Sequence, residues 1–77
     1  MTKDKERKRK RDELILGYLV RNNEIVRDNL FEVVSYSENG CEIRVVVREL
    51  NDNKSRRRFI VRIIDLIADV NARSNYE

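Results

Sequence analysis

Hydrophobic residues are missing from the first part of the chain and recur at helical spacing in the next part. Residues 1–13 contain no apolar residue after Met1, whereas residues 14–26 carry an apolar stripe. Its members are Leu14, Ile15, Tyr18, Leu19, Ile25 and Val26, with Asn22 between them. Intervals of three and four residues are typical of one helix face, so we predict a helix here, which Asn22-Asn23 could end.

The predicted helix has a second, smaller apolar face. Leu16 and Val20 lie off the main stripe, one turn apart. A surface helix needs only one apolar face. Gly17, within the same segment, costs a helix about 1 kcal/mol relative to alanine, which indicates close backbone packing at this position.

Two β-rich segments, residues 30–37 and 41–49, flank the dipeptide Asn39-Gly40. Asn-Gly is the favoured two-residue hairpin turn, because both of its positions need positive φ. This turn predicts Tyr36 opposite Ile43. One face of the hairpin then carries Val34, Tyr36, Cys41, Ile43, Val45 and Val47. The other carries Ser35, Ser37, Arg44 and Arg48 around Phe31, Val33 and Val46.

The segment after the predicted turn at residues 51–55 has two interpretations. As one long helix from an N-cap at Ser55, it places its apolar residues on a broad face. However, Arg56–Arg58 would then crowd the positive end of the helix dipole, and the sequence Phe59–Ile64 is β-rich. As a third strand ending near Ile63, followed by a helix over residues 64–73, it covers the apolar face of the sheet with Leu66, Ile67 and Val70. We favour the three-strand version.

Both interpretations predict the α+β class: an N-terminal helix, an antiparallel β-meander of three or two strands with an Asn39-Gly40 hairpin, and a C-terminal helix packed on the sheet. Residues 1–13 form a charged segment, expected to be a flexible basic arm or to extend the following helix into solvent. Residues 14–77 are expected to form a single small domain.

Composition argues against catalysis and against a structural metal site. Among 77 residues there is no histidine, and Cys41 is the only cysteine. Neutral-pH proton transfer most often uses histidine, and one cysteine cannot ligate a structural zinc ion or form an intrachain disulfide. We therefore expect a non-enzymatic protein without metal or cofactor. With a free thiol, no membrane-spanning run and no signal peptide, it is expected in the cytoplasm, or in the nucleus of a eukaryotic host.

Positive charge is concentrated in two segments. Residues 1–13 contain seven Lys or Arg against four Asp or Glu, while the rest of the chain is neutral. The candidate nucleic-acid contacts in this arm are Lys5, Arg7, Lys8, Arg9, Lys10 and Arg11. Lys3 belongs to the same basic run. Phosphate backbones attract such arms through counterion release. The alternative is a solubilising tail.

The second basic cluster follows the hairpin and contains Lys54, Arg56, Arg57, Arg58 and Arg62. If residues 56–63 form a strand, Arg58 and Arg62 lie beside Arg48 and Arg44 on the sheet face away from the core. Arginine forks bind phosphates and guanine edges with two hydrogen bonds, so such a face suits a DNA groove or RNA. The alternative is cross-strand pairing of these arginines with Glu32, Glu42 and Glu49.

A 77-residue chain has more apolar residues than a small monomer can cover on both faces of its sheet. The surplus positions are Leu16, Val20, Phe31, Val33, Val46 and Ile60. Exposed apolar patches mark interfaces, and a homodimer is the commonest way to cover one. We therefore expect a homodimer.

The predicted order of elements is similar in outline to the double-stranded-RNA-binding domain. Where that family has a lysine-rich motif at the start of its last helix, this chain has Ile63-Ile64-Asp65-Leu66. A winged helix-turn-helix, with helices at residues 12–21 and 24–34, is a second comparison. It requires the β-rich Phe31–Val34 to be helical, which its composition disfavours. Neither likeness transfers residues or function.

These features support two hypotheses. In the first, the protein is a small nucleic-acid-binding regulator of DNA or RNA that acts as a dimer. In the second, it is a protein-interaction module, an adaptor, inhibitor or assembly factor, that binds through an apolar sheet or helix surface. A contiguous positive face favours the first, and arginines neutralised by glutamates favour the second.

Overall fold

Two helices and one antiparallel sheet make up residues 2–74, which a computed structural model describes, with side chains for residues 5–73. The elements are α1 (Thr2–Arg21), a 3₁₀ turn (Asp28–Leu30), β1 (Phe31–Asn39), β2 (Glu42–Glu49), β3 (Arg57–Arg62) and α2 (Ile63–Ser74). The strands follow chain order in the sheet, with β2 in the middle. The predicted α+β class is confirmed, in its three-strand version.

The charged N-terminal segment is helical. α1 begins at Thr2 and continues through residue 13 into the apolar stripe. Lys, Arg and Glu are good helix formers, and this segment contains no glycine or proline that would interrupt the helix. Of the two possibilities for residues 1–13, extension of the following helix describes residues 2–13, while Met1 lies outside the described part.

α1 ends at Arg21, just before Asn22-Asn23. It therefore does not include Ile25 and Val26, the last two residues of the predicted apolar stripe. Asn23 adopts φ 63°, a left-handed conformation that asparagine tolerates. The amide of Asn23 donates to the carbonyl of Val20 at 3.0 Å, and that of Glu24 donates to Leu19 at 2.8 Å. These two bonds form a Schellman motif, which satisfies the last helical carbonyls. Residues 25 and 26 therefore lie in the following loop rather than on the helix.

The β1–β2 turn is displaced by one residue from the predicted one. Asn39 pairs with Glu42, so the two turn residues are Gly40 and Cys41. Gly40 has φ 66°, whereas Asn39 is not among the residues with positive φ. Glycine at the first turn position is typical of a type II′ hairpin, which needs only that residue left-handed. Tyr36 thus pairs with Val45, not Ile43, and Cys41 is exposed in the turn, not on the core face.

A β-bulge at Val34 reverses the expected orientation of the first half of β1. Val33 pairs with Val47 and Ser35 with Val46, so Val34 is an extra residue in β1. An inserted residue moves everything before it to the other face. Phe31 is consequently buried and Val33 packs against the core, while Val34 is 46% exposed. The predicted faces of these three residues were wrong for this reason.

The core lies between one face of the sheet and the two helices. Its buried residues are Ile15, Leu16, Leu19, Ile25, Phe31, Ile43, Val45, Val47 and Val61. Leu16 and Phe31, expected to be surplus, are part of this core. From α2, Ile63 and Leu66 pack against it, whereas Ile67, expected to cover the sheet, is 52% exposed.

β3 passes into α2 without a loop, at the boundary between Arg62 and Ile63. The amide of Ile63 donates to the carbonyl of Cys41 at 2.9 Å, which joins the start of α2 to the hairpin turn. Residues 31–39 form a strand, so a winged helix-turn-helix with residues 24–34 helical is excluded. Within residues 2–74, neither helix is long and apolar enough to cross a membrane.

Candidate nucleic-acid interface

The sheet face opposite the core, here called the outer face, is built by the alternate residues of three strands. Cross-strand rows run Ser35–Val46–Arg58 and Ser37–Arg44–Ile60, and Glu42 stands opposite Arg62. Because side chains alternate along a strand, the members of these rows share one face. The structure therefore brings together four predicted contacts, namely Arg44, Arg48, Arg58 and Arg62.

Three of these arginines surround one exposed isoleucine. Ile60 is 60% exposed and stands directly opposite Arg44. Arg58 and Arg62 lie two residues before and after Ile60 on the same face of β3. Diagonal neighbours in a sheet are about 7–8 Å apart, so Arg44 lies at this distance from both Arg58 and Arg62. Arg58 and Arg62 are four residues apart on β3, which separates them by about 13 Å. We call these three residues the arginine triad.

The arginine triad has no ion-pair partner among residues 5–73. All three side chains are exposed. Glu42, although opposite Arg62, lies outside ion-pair distance of it. The guanidinium groups therefore remain available to an external anion.

A shallow depression of about 350 Å³ lies within the outer face. Val46 and Ile60 contribute apolar surface to it, and Arg44 and Arg58 also line it. Ser35 and Ser37 of β1 complete the lining, with hydroxyl groups that donate and accept hydrogen bonds. The depression thus combines cationic donors, neutral donors and apolar contact area.

Other arginines of the predicted cluster interact within the protein instead. Arg48 forms an ion pair with Glu32 and donates from Nη1 to Asn53 Oδ1 at 2.8 Å. Arg57 lies 3.9 Å from Glu49 and 5.6 Å from the ring of Phe31, on the core side of the sheet.

Arg56 donates to the carbonyls of Asn53 and Ser55 at 2.9 and 2.7 Å, within the β2–β3 loop. Lys54 lies exposed in this same loop, and its backbone amide donates to Asp52 Oδ1 at 2.9 Å. That bond closes a side-chain-stabilised turn. The structure therefore separates these two residues, with Arg57, from the arginine triad.

The basic residues of α1 form a different surface. Lys5, Lys8 and Arg9 line a groove of about 460 Å³ between α1 and β1, together with Asp12, Glu13, Leu16, Phe31, Glu32 and Val33. Because acidic side chains share this lining, the groove has mixed charge. Glu32 both lines it and pairs with Arg48 of the outer face, so a neutralised ion pair separates the two basic surfaces.

The other predicted contacts in α1 whose side chains are described, Arg7, Lys10 and Arg11, divide into one packed and two exposed side chains, and the side chain of Lys3 lies outside the described residues. The Arg11 guanidinium lies 3.9 Å from the Tyr36 ring centroid, a cation–π geometry, and its Nη2 is 3.1 Å from Asp12. Tyr36 also donates its hydroxyl to Glu38 at 2.5 Å. Burial, followed by this hydrogen bond, raises the pKa of Tyr36 above its usual value. Arg7 and Lys10 are exposed.

Sequence reasoning missed the ion pair that joins the two helices. Arg21 donates from Nε to Asp69 Oδ1 at 2.6 Å and from Nη2 to Oδ2. The hydrogen bond from Arg21, and then its charge, hold the pKa of Asp69 below its usual value against the opposing effect of burial. Arg73 Nε also lies 4.0 Å from Asp69 Oδ2. This second pair has the four-residue spacing of neighbours on one helix face, so it could be predicted from the sequence, whereas the pair with Arg21 could not.

Residues 5–73 contain no group of three or more His, Cys, Asp or Glu side chains that could hold a metal ion. Among the described residues, the strongest candidate binding site is the arginine triad around Ile60. Comparison of the chain with protein-family models, with curated proteins and with solved structures finds no significant match.

Proposed function

We propose that this protein is a non-catalytic, nucleic-acid-binding homodimer, a small regulator of DNA or RNA, and that its outer sheet face contacts the nucleic acid. The observation that carries the proposal is the arginine triad: three exposed guanidinium groups around Ile60, without an acidic partner among residues 5–73. Nearby arginines that have acidic partners, Arg48 and Arg57, provide the contrast.

The chemistry of the outer face favours phosphate and groove contacts over base stacking. Sequence-tolerant binding of single strands uses aromatic platforms. The described aromatic side chains of the sheet, Phe31, Tyr36 and Phe59, pack against the core. Guanidinium forks and serine hydroxyls, by contrast, suit phosphate oxygens and base edges. We therefore propose a duplex as the preferred ligand.

The basic half of α1 supports a second, less specific contribution. Lys5, Lys8 and Arg9 lie on one groove, and Arg7 and Lys10 are exposed. Held on a helix, these charges add long-range attraction for phosphate without reading bases.

A salt titration of binding tests this proposal. Fluorescence anisotropy of labelled duplex DNA, duplex RNA and single strands of equal length should show tightest binding to a duplex. Affinity should fall as salt rises, with a log–log slope of about −0.9 for each duplex phosphate neutralised. Absence of binding to every probe at about 50 mM salt would refute the proposal, because electrostatic association is strongest there.

One observation favours the protein-interaction alternative. Val26, Leu30 and Leu50 are 77%, 44% and 48% exposed, and Val26 and Leu30 line the same depression at the end of the sheet. The amide of Leu50 donates to the carbonyl of Leu30 at 3.0 Å, which keeps these apolar residues together. A protein without nucleic-acid affinity at low salt would make this apolar surface the one to investigate.

A further inference from the structure

One face of α2 is exposed and almost uncharged. At helical spacing, the residues Ile63, Leu66, Asp69, Val70 and Arg73 are partly covered by the rest of the protein, whereas the other side is open. We call that open side the neutral face; it comprises Ile64, Ile67, Ala68, Asn71 and Ala72. Asp65, at its border, is the only charged residue among the exposed positions of α2 from 63 to 73.

This distribution is unusual for the chain, in which 40% of residues are charged. The exposed residues of α1 from 5 to 10 are all charged. Ile64 and Ile67 are nevertheless 71% and 52% exposed. A helix face that carries isoleucine and alanine where the other helix carries lysine and arginine indicates a protein contact, not a solvated surface.

The two sheet edges are unsuited to pairing with another chain. β1, at one edge, is interrupted by the bulge at Val34, and β3, at the other, has only six residues with exposed Arg57, Arg58 and Arg62. Bulges, short strands and charged side chains are the usual means of preventing edge-to-edge association. A second copy of this chain would therefore associate through a helix and not through the sheet.

We propose that the neutral face of α2 is the contact between two copies of this chain. This assignment rests on the homodimer in the proposed function, but it does not depend on nucleic-acid binding. The lack of charge suits a self-contact, because a twofold axis places residues near the axis against their own copies, where like charges would repel. A positively charged partner would find only Asp65 to pair with, and a negatively charged partner would find no exposed positive charge on α2 from 63 to 73.

The order of large and small residues suits antiparallel pairing about Ala68. Ile64 and Ala72 lie at equal distances on either side of Ala68, so each copy places Ile64 beside Ala72 of the other. Ala68 on the axis allows the helices to approach to the short end of the usual 8–10 Å range.

The position of α2 makes this dimer compatible with the proposed function. Ile63 and Leu66 pack against the core, so α2 lies on the side of the sheet opposite the arginine triad. Pairing through the neutral face leaves both outer faces uncovered. A 12-residue helix is about 18 Å long and cannot bury the ~800 Å² per partner of a standard interface alone, so we expect micromolar association.

Sedimentation equilibrium without nucleic acid tests the assignment. The wild-type chain, of 9.3 kDa, should reach twice that mass at high micromolar concentration. Ile67→Lys should remain monomeric with unchanged circular dichroism. Val26→Lys, the matched control in an exposed loop position, should still dimerise. A dimer that survives Ile67→Lys, or one that Val26→Lys dissociates, would overturn the neutral face as the contact. A wild-type monomer would overturn the homodimer itself.

Disulfide trapping tests the register. With Cys41→Ser removing the native thiol, Ala68→Cys should form a covalent dimer on oxidation, because residue 68 meets its own copy at the axis. Ala72→Cys, one turn away on the same face, should stay uncrosslinked because its two sulfurs are too far apart. Crosslinking through residue 72 in preference to residue 68 would contradict antiparallel pairing about Ala68. Nucleic-acid binding is measured separately, so failure of either proposal is recognised independently.

Discussion

Arg21 and Asp69 form a two-point ion pair that joins the end of α1 to the middle of α2. Nε of Arg21 lies 2.6 Å from Oδ1 of Asp69, and Nη2 donates to Oδ2. The Asp69 side chain is 15% exposed and that of Arg21 37%. Such a fork is stronger and more directional than a single-point surface pair. It ties the end of α1 directly to α2.

This ion pair predicts that acid weakens the protein through Asp69. The pKa of Asp69 is lowered in the folded state, mainly by the hydrogen bond from Arg21. Its contribution is therefore fully present above the unfolded pKa of about 3.9 and is lost as pH falls through the lower folded pKa. Asp69→Asn should cost about 1 kcal/mol at pH 7, with Arg21 partly solvated. Urea unfolding should show this difference shrinking at acid pH, and a difference independent of pH would contradict it.

Gly17 leaves room for the Arg21 guanidinium to reach Asp69. A Cβ on Gly17 would lie 3.0 Å from Nη2 and 3.2 Å from Nη1 of Arg21. Gly17→Ala should add up to about 1 kcal/mol of helix stability but displace that side chain, for little net change. In an Asp69→Asn background, Arg21 is free to move and the same change should stabilise by the full amount. Equal effects in both backgrounds would show that Gly17 and the ion pair are not coupled.

The hairpin turn predicts unequal sensitivity at its two neighbouring residues. Gly40→Val should destabilise the fold by about 1–2 kcal/mol, because φ 66° is costly for a side-chain-bearing residue. No atom lies within 4 Å of the added Cβ, so backbone conformation alone causes this loss. Asn39→Ala, which leaves no left-handed residue strained, should change stability by less than about 0.5 kcal/mol. Thermal unfolding of both variants distinguishes this turn from an Asn39-Gly40 turn, in which both would be sensitive.

The bulge in β1 makes adjacent valines respond in opposite ways. Val33 packs against the core, so Val33→Lys should cost roughly 2 kcal/mol. Val34 is 46% exposed, so Val34→Lys should stay within about 0.5 kcal/mol. Urea unfolding of the pair measures the two costs. If Val34→Lys costs more stability than Val33→Lys, β1 alternates without interruption and the bulge at Val34 is wrong.

Local patterns predicted the types and order of the elements. The helical spacing of Ile15 and Leu19, the β-rich segments beside Gly40 and the clash of three arginines with a helix N-terminus all act over a few residues. The same patterns could not predict the bulge. Val33 and Val34 are both β-rich valines, so nothing in the local sequence shows that Val34 is the extra, unpaired residue. The bulge accompanies the burial of Phe31 in the same core cluster as Leu16 of α1, which is a tertiary contact.

The sequence predicted which arginines share the outer face, but not which of them lack an acidic partner, because only the first of these is a local property. The alternation of Arg44, Arg58 and Ile60 along their strands is a local property, and it placed them on one face. Which arginines keep an acidic partner is set by cross-strand register. Arg48 meets Glu32 only because the bulge shifts β1 against β2. Sequence alone could not separate this neutralised arginine from the free triad.

The arginine triad and the basic residues of α1 should contribute to binding in different ways. Replacing Arg44, Arg58 and Arg62 together by alanine should abolish any preference among duplex sequences. The salt slope should also become shallower by up to about 0.9 for each phosphate that the variant no longer neutralises. The fold should survive, because all three side chains are exposed on the face away from the core. Circular dichroism and thermal unfolding verify that point before anisotropy titrations are compared.

Two further variants distinguish geometry from charge. Lysine at the same three positions keeps the charge but not the planar fork, so it should retain the salt slope and lose sequence preference, worth about 1–3 kcal/mol for each two-point base contact. Alanine at Lys5, Lys8 and Arg9 removes equal charge from α1 and should weaken all sequences alike. If this helix variant loses sequence preference while the triad variant keeps it, the groove between α1 and β1, and not the outer face, contacts the bases.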